Sequence, residues 1–516
     1  MGANPRWAFV GALFVALIVQ GLFHAAALVT DGDSEGSHLY HGWLIVHGQL
    51  GLYDDQMTGH RTPFAYWLIG LAQVLVGGPS LWAGRVASLG AGLAGVAILW
   101  RTAHRAFGPP FGAITLCLVA TSPYILGHFA LAAFTGLAFL WVALGAWFLL
   151  ASESPWRRAA VMLCAWGLFL TRPQFALLLP VAAWWALWGP GRTISLLAMI
   201  LPGVTFFLAF RPGVWKMLAY VPLTQDLAAD WGYIPAVLIG DPDWGSRLWR
   251  ASALVLRSYK GWLVLAVTGW ALWPLGFPAL PRKAWIGIGV LGLFGLTQLA
   301  LTNVTWKVSV GYFPAFILLA ALPLAVRWSA LLNGVAGSAR RTVSAAILGG
   351  VLLLAPAASP PPSLPLAVDP WNTSAEEVRR AARELAVLIP PGTPVLLYGP
   401  ATALHLAGLR PPIQPANHLE TLTPMPIGTS PARSGKWTMV ERSGLWSWPQ
   451  IVDWLDGSQA YPWAIVWEDG LRARITPYGL HREATTIFVL LERHYQPVRR
   501  IGQHPGIVLT VYRRNS

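Results

Sequence analysis

The chain has 516 residues, of which 55% are hydrophobic and only 11% are charged, and its formal net charge at pH 7 is +14. This composition excludes an ordinary soluble protein, because many apolar runs are long enough to cross a bilayer core of about 30 Å. The basic residues stand between apolar runs and form no single stripe, so they indicate orientation in a membrane, and we expect no nucleic-acid partner.

The apolar runs predict 11 transmembrane helices, because backbone polar groups in lipid must be satisfied within each segment. The first run, Trp7 to Val29, is too long for a typical signal-peptide core and is predicted to remain as a span. The run from Phe64 to Val76, about 13 residues, is short for a crossing and is predicted to lie in the membrane interface. The other predicted spans are 81–100, 111–127, 130–150, 159–171, 174–189, 193–210, 261–279, 284–301, 310–326 and 342–356.

Charges in the short connections decide the predicted orientation. With a cytoplasmic N-terminus, every short loop assigned to the inside carries Arg or Lys, whereas a crossing by Phe64–Val76 would put those loops outside, against the positive-inside rule. The chain is therefore predicted to lie in the plasma or bacterial inner membrane, with outer loops at 31–80 and 211–258. Nucleotide sugars are normally lacking on the extracytoplasmic side, so group transfer there requires a donor that the membrane delivers.

The composition changes after Pro356. Residues 358–371 form a predicted linker, and no span-length apolar run follows it. Helix signals at 372–388, 449–456 and 484–493 alternate with buried-strand signals at 394–399, 464–467 and 507–511. We therefore expect an α-helical polytopic membrane domain over 1–357 and an extracytoplasmic α/β domain over 372–516.

Three acids lie just beyond the first span, in a chain with only 22 acidic residues. Asp31, Asp33 and Glu35 alternate, so an extended loop would place all three on one side. Such a group could bind a divalent cation, with Asp31 and Asp33 as the metal ligands. Alternatively, one carboxylate is a general base that activates an acceptor hydroxyl. The plainest alternative is a hydrated acidic loop, and no motif demands a cofactor.

Basic residues are predicted on the same side of the membrane as these acids. Charged groups close to lipid are costly and usually have a partner or a function. Arginine forks match phosphate oxygens bidentately, so acids together with cations fit transfer from a polyprenyl-phosphate donor. The alternative use of the cations is snorkelling to lipid headgroups. The candidate phosphate ligands are Arg61, Arg85, Arg172, Lys216 and Lys307.

The first outer loop resembles that of the GT-C glycosyltransferases, most closely the branch of the protein O-mannosyltransferases and lipid A aminoarabinose transferases. In this likeness Asp33 stands in the place of the catalytic Asp, and Arg61 in that of a lysine. Ser34 stands where a second acid is expected, with Glu35 one place later, and Thr62 replaces a proline. The residues that carry the likeness are Asp33, Gly48, Tyr53, Asp54, Arg61–Trp67 and Arg85, with weaker matches at Ser122–Tyr124, His128 and Trp306–Pro314.

The resemblance implies a GT-C fold and inverting transfer of a sugar from a polyprenyl phosphate to a glycan, lipid or protein acceptor. It implies that Asp33 takes the acceptor proton, while Arg61, Arg85 and Lys307 hold the leaving phosphate. Two other functions stay open: a lipid-linked sugar flippase or transporter, and a polysaccharide ligase or polymerase that uses a lipid diphosphate. The candidate substrate-binding residues are Asp54, Asp55, His60, Tyr66, His128 and Tyr312.

Overall fold

The computed structural model describes twelve ranges and four isolated residues of the chain, and it divides the chain into two compact units. Unit 1 comprises residues 1–26, 88–206 and 231–364, and unit 2 comprises residues 27–87, 207–230 and 365–516. The predicted spans from 261 onwards and the linker lie almost wholly outside the described residues. The described residues are 5–27, 34–52, 62–120, 123–175, 178–188, 191–223, 289, 317–318, 321, 374–398, 401–409, 448–457, 461–468, 481–502 and 508–515.

Helices make up the described part of the chain before residue 224. Two of them are long and apolar enough to cross a membrane, Leu81–Phe107 and Arg192–Arg211, and several shorter helices are also apolar. The helices are α1 (Pro5–Ala27), α2 (Ser34–Val46), α3 (Pro63–Leu75), α4 (Leu81–Phe107), α5 (Pro109–Ala120), α6 (Pro123–Phe129), α7 (Thr135–Ala146), α8 (Arg157–Thr171), α9 (Leu178–Leu187) and α10 (Arg192–Leu223).

The first part of the predicted second outer loop is helical. Helix α10 continues through Leu223, whereas a loop was predicted from residue 211. The helix is interrupted at Phe210, where φ is −120° and ψ is 20°. Pro212 follows two residues later and lacks the N–H that an α-helix needs at that point, which accounts for a kink here. The predicted span therefore ended at the kink, and the helix resumes beyond it.

Most of the described residues in the predicted first outer loop belong to two helices, α2 and α3, which pack against each other. A Cβ atom on Gly42 would lie 2.7 Å from the Tyr66 carbonyl oxygen, and one on Gly70 would overlap the Gly42 carbonyl. The two backbones can therefore approach this closely only because both positions are glycine. The opposite side of α3 is apolar and exposed, with Leu75 87% exposed, and the interfacial location of this helix stays a prediction.

We expect Gly70→Ala to destabilise this helix pair by about 1–3 kcal/mol, because the added methyl group overpacks a backbone contact. Thermal unfolding of the full chain in detergent measures the change. Gly78→Ala is the matched control, since a Cβ at Gly78 meets no atom of the described ranges within 4 Å. Equal midpoints for the two variants would show that α2 and α3 do not rely on this contact.

The C-terminal part of unit 2 begins with a strongly capped helix. Glu377 N–H donates to the Ser374 hydroxyl at 3.1 Å, and Ser374 N–H donates to the Glu377 carboxylate at 3.3 Å. This capping box satisfies two N–H groups that a helix start leaves open. The elements that follow are α11 (Ala375–Leu388), β1 (Val395–Tyr398), α12 (Ala401–Leu406), α13 (Trp448–Asp456), β2 (Trp463–Val466), α14 (His481–His494), β3 (Tyr495–Ile501) and β4 (Leu509–Arg514).

The four strands form one mixed sheet in the order β1-β2-β4-β3. Strands β1 and β2 are parallel, with Leu396 beside Ala464, and β4 pairs antiparallel with both β2 and β3. Helices pack on the sheet and bury Leu385, Ile487 and Val511 completely. An α/β domain results, as alternating helices and strands predict.

Candidate active site

A buried ion pair joins the first outer loop to the next long helix. Glu35 lies in the first turn of α2 and Arg85 in the second turn of α4, and both side chains are 0% exposed. Arg85 Nε donates to Glu35 Oε1 and Arg85 Nη2 donates to Glu35 Oε2, both at 2.8 Å. This is the two-bond fork that makes guanidinium–carboxylate pairs strong and directional. The pair therefore ties the start of α2 to α4.

Aromatic and imidazole rings surround the next two turns of α2. The His38 ring stacks on the Tyr66 ring, with centroids 5.1 Å apart and planes at 26°. His41 Nδ1 lies 2.9 Å from the Ser37 carbonyl oxygen, so this nitrogen donates and Nε2 accepts when the ring is neutral. Both histidines and Tyr66 are buried. They form a polar interior between α2 and α3.

Two further site residues predicted from sequence belong to unit 1. His128 is fully buried on α6, and its carbonyl oxygen accepts from the Thr135 hydroxyl at 2.6 Å. The Arg172 guanidinium lies 4.3 Å from the centre of the Phe134 ring, a cation–π contact that shields the charge from the apolar surroundings. Arg172 is 8% exposed, so it is buried at the end of α8.

The structure does not describe the side chains of the remaining predicted site residues. Lys216 lies on α10, but its side chain is outside the description, and the predicted roles of all these residues stay predictions. Among the described ranges, no group of three His, Cys, Asp or Glu side chains is arranged to hold a metal ion. The residues outside the described ranges are Asp31, Asp33, Asp54, Asp55, His60, Arg61, Lys307 and Tyr312.

The alternation argument for the three acids is wrong at Glu35. The extended conformation assumed for residues 31–35 does not hold at Ser34 and Glu35, because α2 begins at Ser34. Glu35 is thus turned by helical geometry toward Arg85 instead of along an extended edge. An acid in the first turn of a helix is also favoured by the helix dipole, which is the local reason why the helix begins here.

Four buried polar residues near Glu35 were missed by the sequence analysis: His38, His41, Gln73 and His405. The first two share one face of α2, three residues apart, a spacing that could have been noticed if residues 34–46 had been predicted as a helix. Gln73 and His405 meet at 2.6 Å although they are 332 residues apart in sequence. No pattern in the sequence indicates that contact.

The comparisons with known proteins agree with the predicted resemblance. The profile of the family described as "Dolichyl-phosphate-mannose-protein mannosyltransferase" matches residues 60–215. The solved structure of ArnT from Cupriavidus metallidurans in the apo state matches with a TM-score of 0.59 at 14% identity and covers 99% of this chain and 98% of that chain.

The same enzyme bound to undecaprenyl phosphate matches with a TM-score of 0.57 at 15% identity, again over 99% of this chain and 98% of that one. No curated protein matches the chain in sequence. The chain therefore shares the fold of these two structures, and the likeness extends over nearly the whole length of both chains.

Proposed function

We propose that the protein is an integral-membrane glycosyltransferase that moves a sugar from a polyprenyl phosphate to an acceptor on the extracytoplasmic side. One observation carries this proposal: the fold agrees over almost the full length with that of ArnT bound to undecaprenyl phosphate. The acids and cations predicted around the first outer loop are of the types that such a reaction uses.

The proposed reaction is a single displacement with inversion. The acceptor hydroxyl gives its proton to the Asp33 carboxylate, and its oxygen forms a bond to the anomeric carbon of the sugar. The bond between that carbon and the phosphate oxygen breaks, and its electron pair leaves with the polyprenyl phosphate. Negative charge grows on the phosphate in the transition state, so fixed cations beside it lower the barrier.

From the Glu35–Arg85 ion pair we infer different roles for the predicted cations. Arg85 uses its fork on Glu35, and we propose that the pair positions the start of α2, which follows Asp33 directly. Arg61 and Lys307 are then the proposed phosphate ligands, with Arg172 and Lys216 as further candidates. Tyr66, His128, Tyr312, Asp54, Asp55 and His60 are the proposed substrate contacts.

A divalent cation remains a candidate at Asp31 and Asp33, whose carboxylate oxygens are the ligand type that Mg²⁺ and Ca²⁺ prefer. Bound there, a cation would stabilise the phosphate charge. In its absence the same stabilisation must come from arginine and lysine side chains alone.

The test begins with the purified full-length protein. Mass spectrometry of co-purified lipid is expected to identify a polyprenyl phosphate, and purified polyprenyl-phosphate sugars are expected to give a glycosylated acceptor and free polyprenyl phosphate. Transfer only from a lipid-diphosphate donor, with release of the lipid diphosphate, would favour the ligase or polymerase, and movement of the sugar lipid across vesicles without transfer would favour the flippase. Repeating the assay after exhaustive chelation tests whether a divalent cation is needed. Unchanged turnover would show that side chains alone carry catalysis.

A further inference from the structure

The C-terminal domain contacts the first outer loop within unit 2. Helix α12 of that domain packs against α2, the helix that begins with Ser34 and Glu35. A Cβ atom on Gly36 would lie 2.8 Å from the Thr402 hydroxyl and 3.0 Å from the Thr402 backbone nitrogen. This approach is therefore open only to glycine at position 36, one residue after the acid that pairs with Arg85.

One buried amide joins three elements at this contact. Gln73 Oε1 on α3 lies 2.6 Å from His405 Nε2 on α12 and also accepts from Ser80 N–H at 3.1 Å. Gln73 Nε2 donates to the Leu39 carbonyl oxygen on α2 at 2.8 Å. Because an amide oxygen only accepts, His405 must donate from Nε2. The directions of all three hydrogen bonds are thereby fixed.

The surroundings of His405 keep it in that role. Its ring makes edge contacts with Tyr40 and Trp43 of α2, with centroids 5.7 Å and 6.4 Å away. Burial, with a smaller contribution from His41, lowers the pKa of His405 to about 3. The ring is therefore neutral at physiological pH, with its proton on Nε2 and directed at Gln73. A neutral hydrogen-bond donor in a buried contact favours a single arrangement of the helices that it joins.

We propose that His405 and Gln73 are positioning residues through which the C-terminal domain holds α2 in place for sugar transfer. His405 orients the Gln73 amide, and that amide holds the Leu39 carbonyl in the middle of α2. Helix α2 begins directly after Asp33, so a shift of α2 displaces the proposed base. The turnover measurement that tests this proposal rests on the proposed function, whereas the hydrogen-exchange measurement does not.

The substitution that tests the network is His405→Phe, which keeps a ring and removes the donor. We expect kcat to fall about tenfold or more with KM for the lipid donor within about twofold, because small displacements of reacting groups cost rate. Hydrogen exchange of the amides in α2 is expected to become at least about tenfold faster, because α2 loses its buried anchor. His405→Gln, which retains a donor near the Nε2 position, is expected to restore both properties to within about threefold.

Thr402→Val is the matched control at the same contact. The Thr402 hydroxyl is buried and has no hydrogen-bond partner among the described residues, so its isosteric replacement is expected to leave turnover and exchange unchanged. If His405→Phe does not yield folded protein, Gly36→Ala tests whether α12 holds α2, because its methyl group would meet Thr402 and push α2 away from α12, which carries His405.

The outcomes separate the two proposals. Unchanged α2 exchange in His405→Phe would overturn the positioning role, whatever the wild-type protein catalyses. Faster exchange with unchanged kcat would show that α12 anchors α2 without serving turnover, and it would also overturn the proposal. A wild-type protein that transfers no sugar would remove the proposed function, while the exchange measurements would still report whether His405 and Gln73 hold α2.

Discussion

Replacing Asp33 with asparagine is expected to abolish sugar transfer while leaving the protein folded in the membrane and still loaded with its donor lipid. Asparagine has nearly the same shape but does not take up a proton at neutral pH, so the acceptor hydroxyl loses its base. General-base catalysis contributes about 10²–10⁴-fold in rate, so kcat should fall by that factor. Turnover of a polyprenyl-phosphate sugar is the measurement, and mass spectrometry of bound lipid reports donor binding.

Asp31→Asn is the comparison that gives this experiment its meaning. If Asp33 alone is the base, Asp31→Asn retains turnover within a few-fold of wild type. Equal losses in both variants, together with sensitivity to chelation, would indicate a cation held by the pair. A turnover of Asp33→Asn within about tenfold of wild type would show that another group takes the proton.

The sequence predicts local structure well where the pattern is strong. Three of the four described strands lie where continuous apolar runs predict them, and the helix predicted over 372–388 spans Ala375–Leu388. The helix α3 occupies nearly the predicted run. Strand β3 was missed because its interior is Gln496–Arg500, five exposed residues at a sheet edge, so burial imposes no period on it.

Helix α2 shows why the candidate site was predicted only in part. Its sequence contains Gly36 and Gly42 and has no regular apolar stripe, so residues 34–46 were interpreted as loop. The helix is stabilised instead by contacts from distant parts of the chain: Arg85, the close approach at Gly70, and Gln73 with His405. Contacts of this kind depend on the fold as a whole, and local periodicity does not encode them.

Arg85 illustrates the same limit for function. Its position early in a predicted span indicates from sequence that the charge has a partner or a function, because an unpaired cation there is costly. The sequence does not say whether the partner is a donor phosphate or a protein carboxylate. The structure supplies Glu35 as a partner, and the proposal that the pair positions α2 follows from that contact.

Breaking the Glu35–Arg85 pair is therefore expected to destabilise the protein more than any surface change. Glu35→Gln removes the charge that Glu35 sets against the buried guanidinium, and Arg85→Met removes the guanidinium from the buried carboxylate, so each should cost about 3–5 kcal/mol. The double variant removes both charges and should be more stable than either single variant. Thermal unfolding of the four proteins in detergent gives the coupling free energy.

The exposed pair between Arg105 and Glu153 provides the control, because it is 3.7 Å long with side chains 48% and 83% exposed. Glu153→Gln should change stability by less than about 1 kcal/mol, since solvent screens such pairs. Turnover then separates the possible roles of the buried pair. A positioning pair predicts that kcat partly recovers in the double variant along with stability. If instead Glu35→Gln is fully stable but inactive, Glu35 acts on the substrate. If Arg85→Met is stable but binds the donor more weakly, Arg85 is a ligand of the donor phosphate.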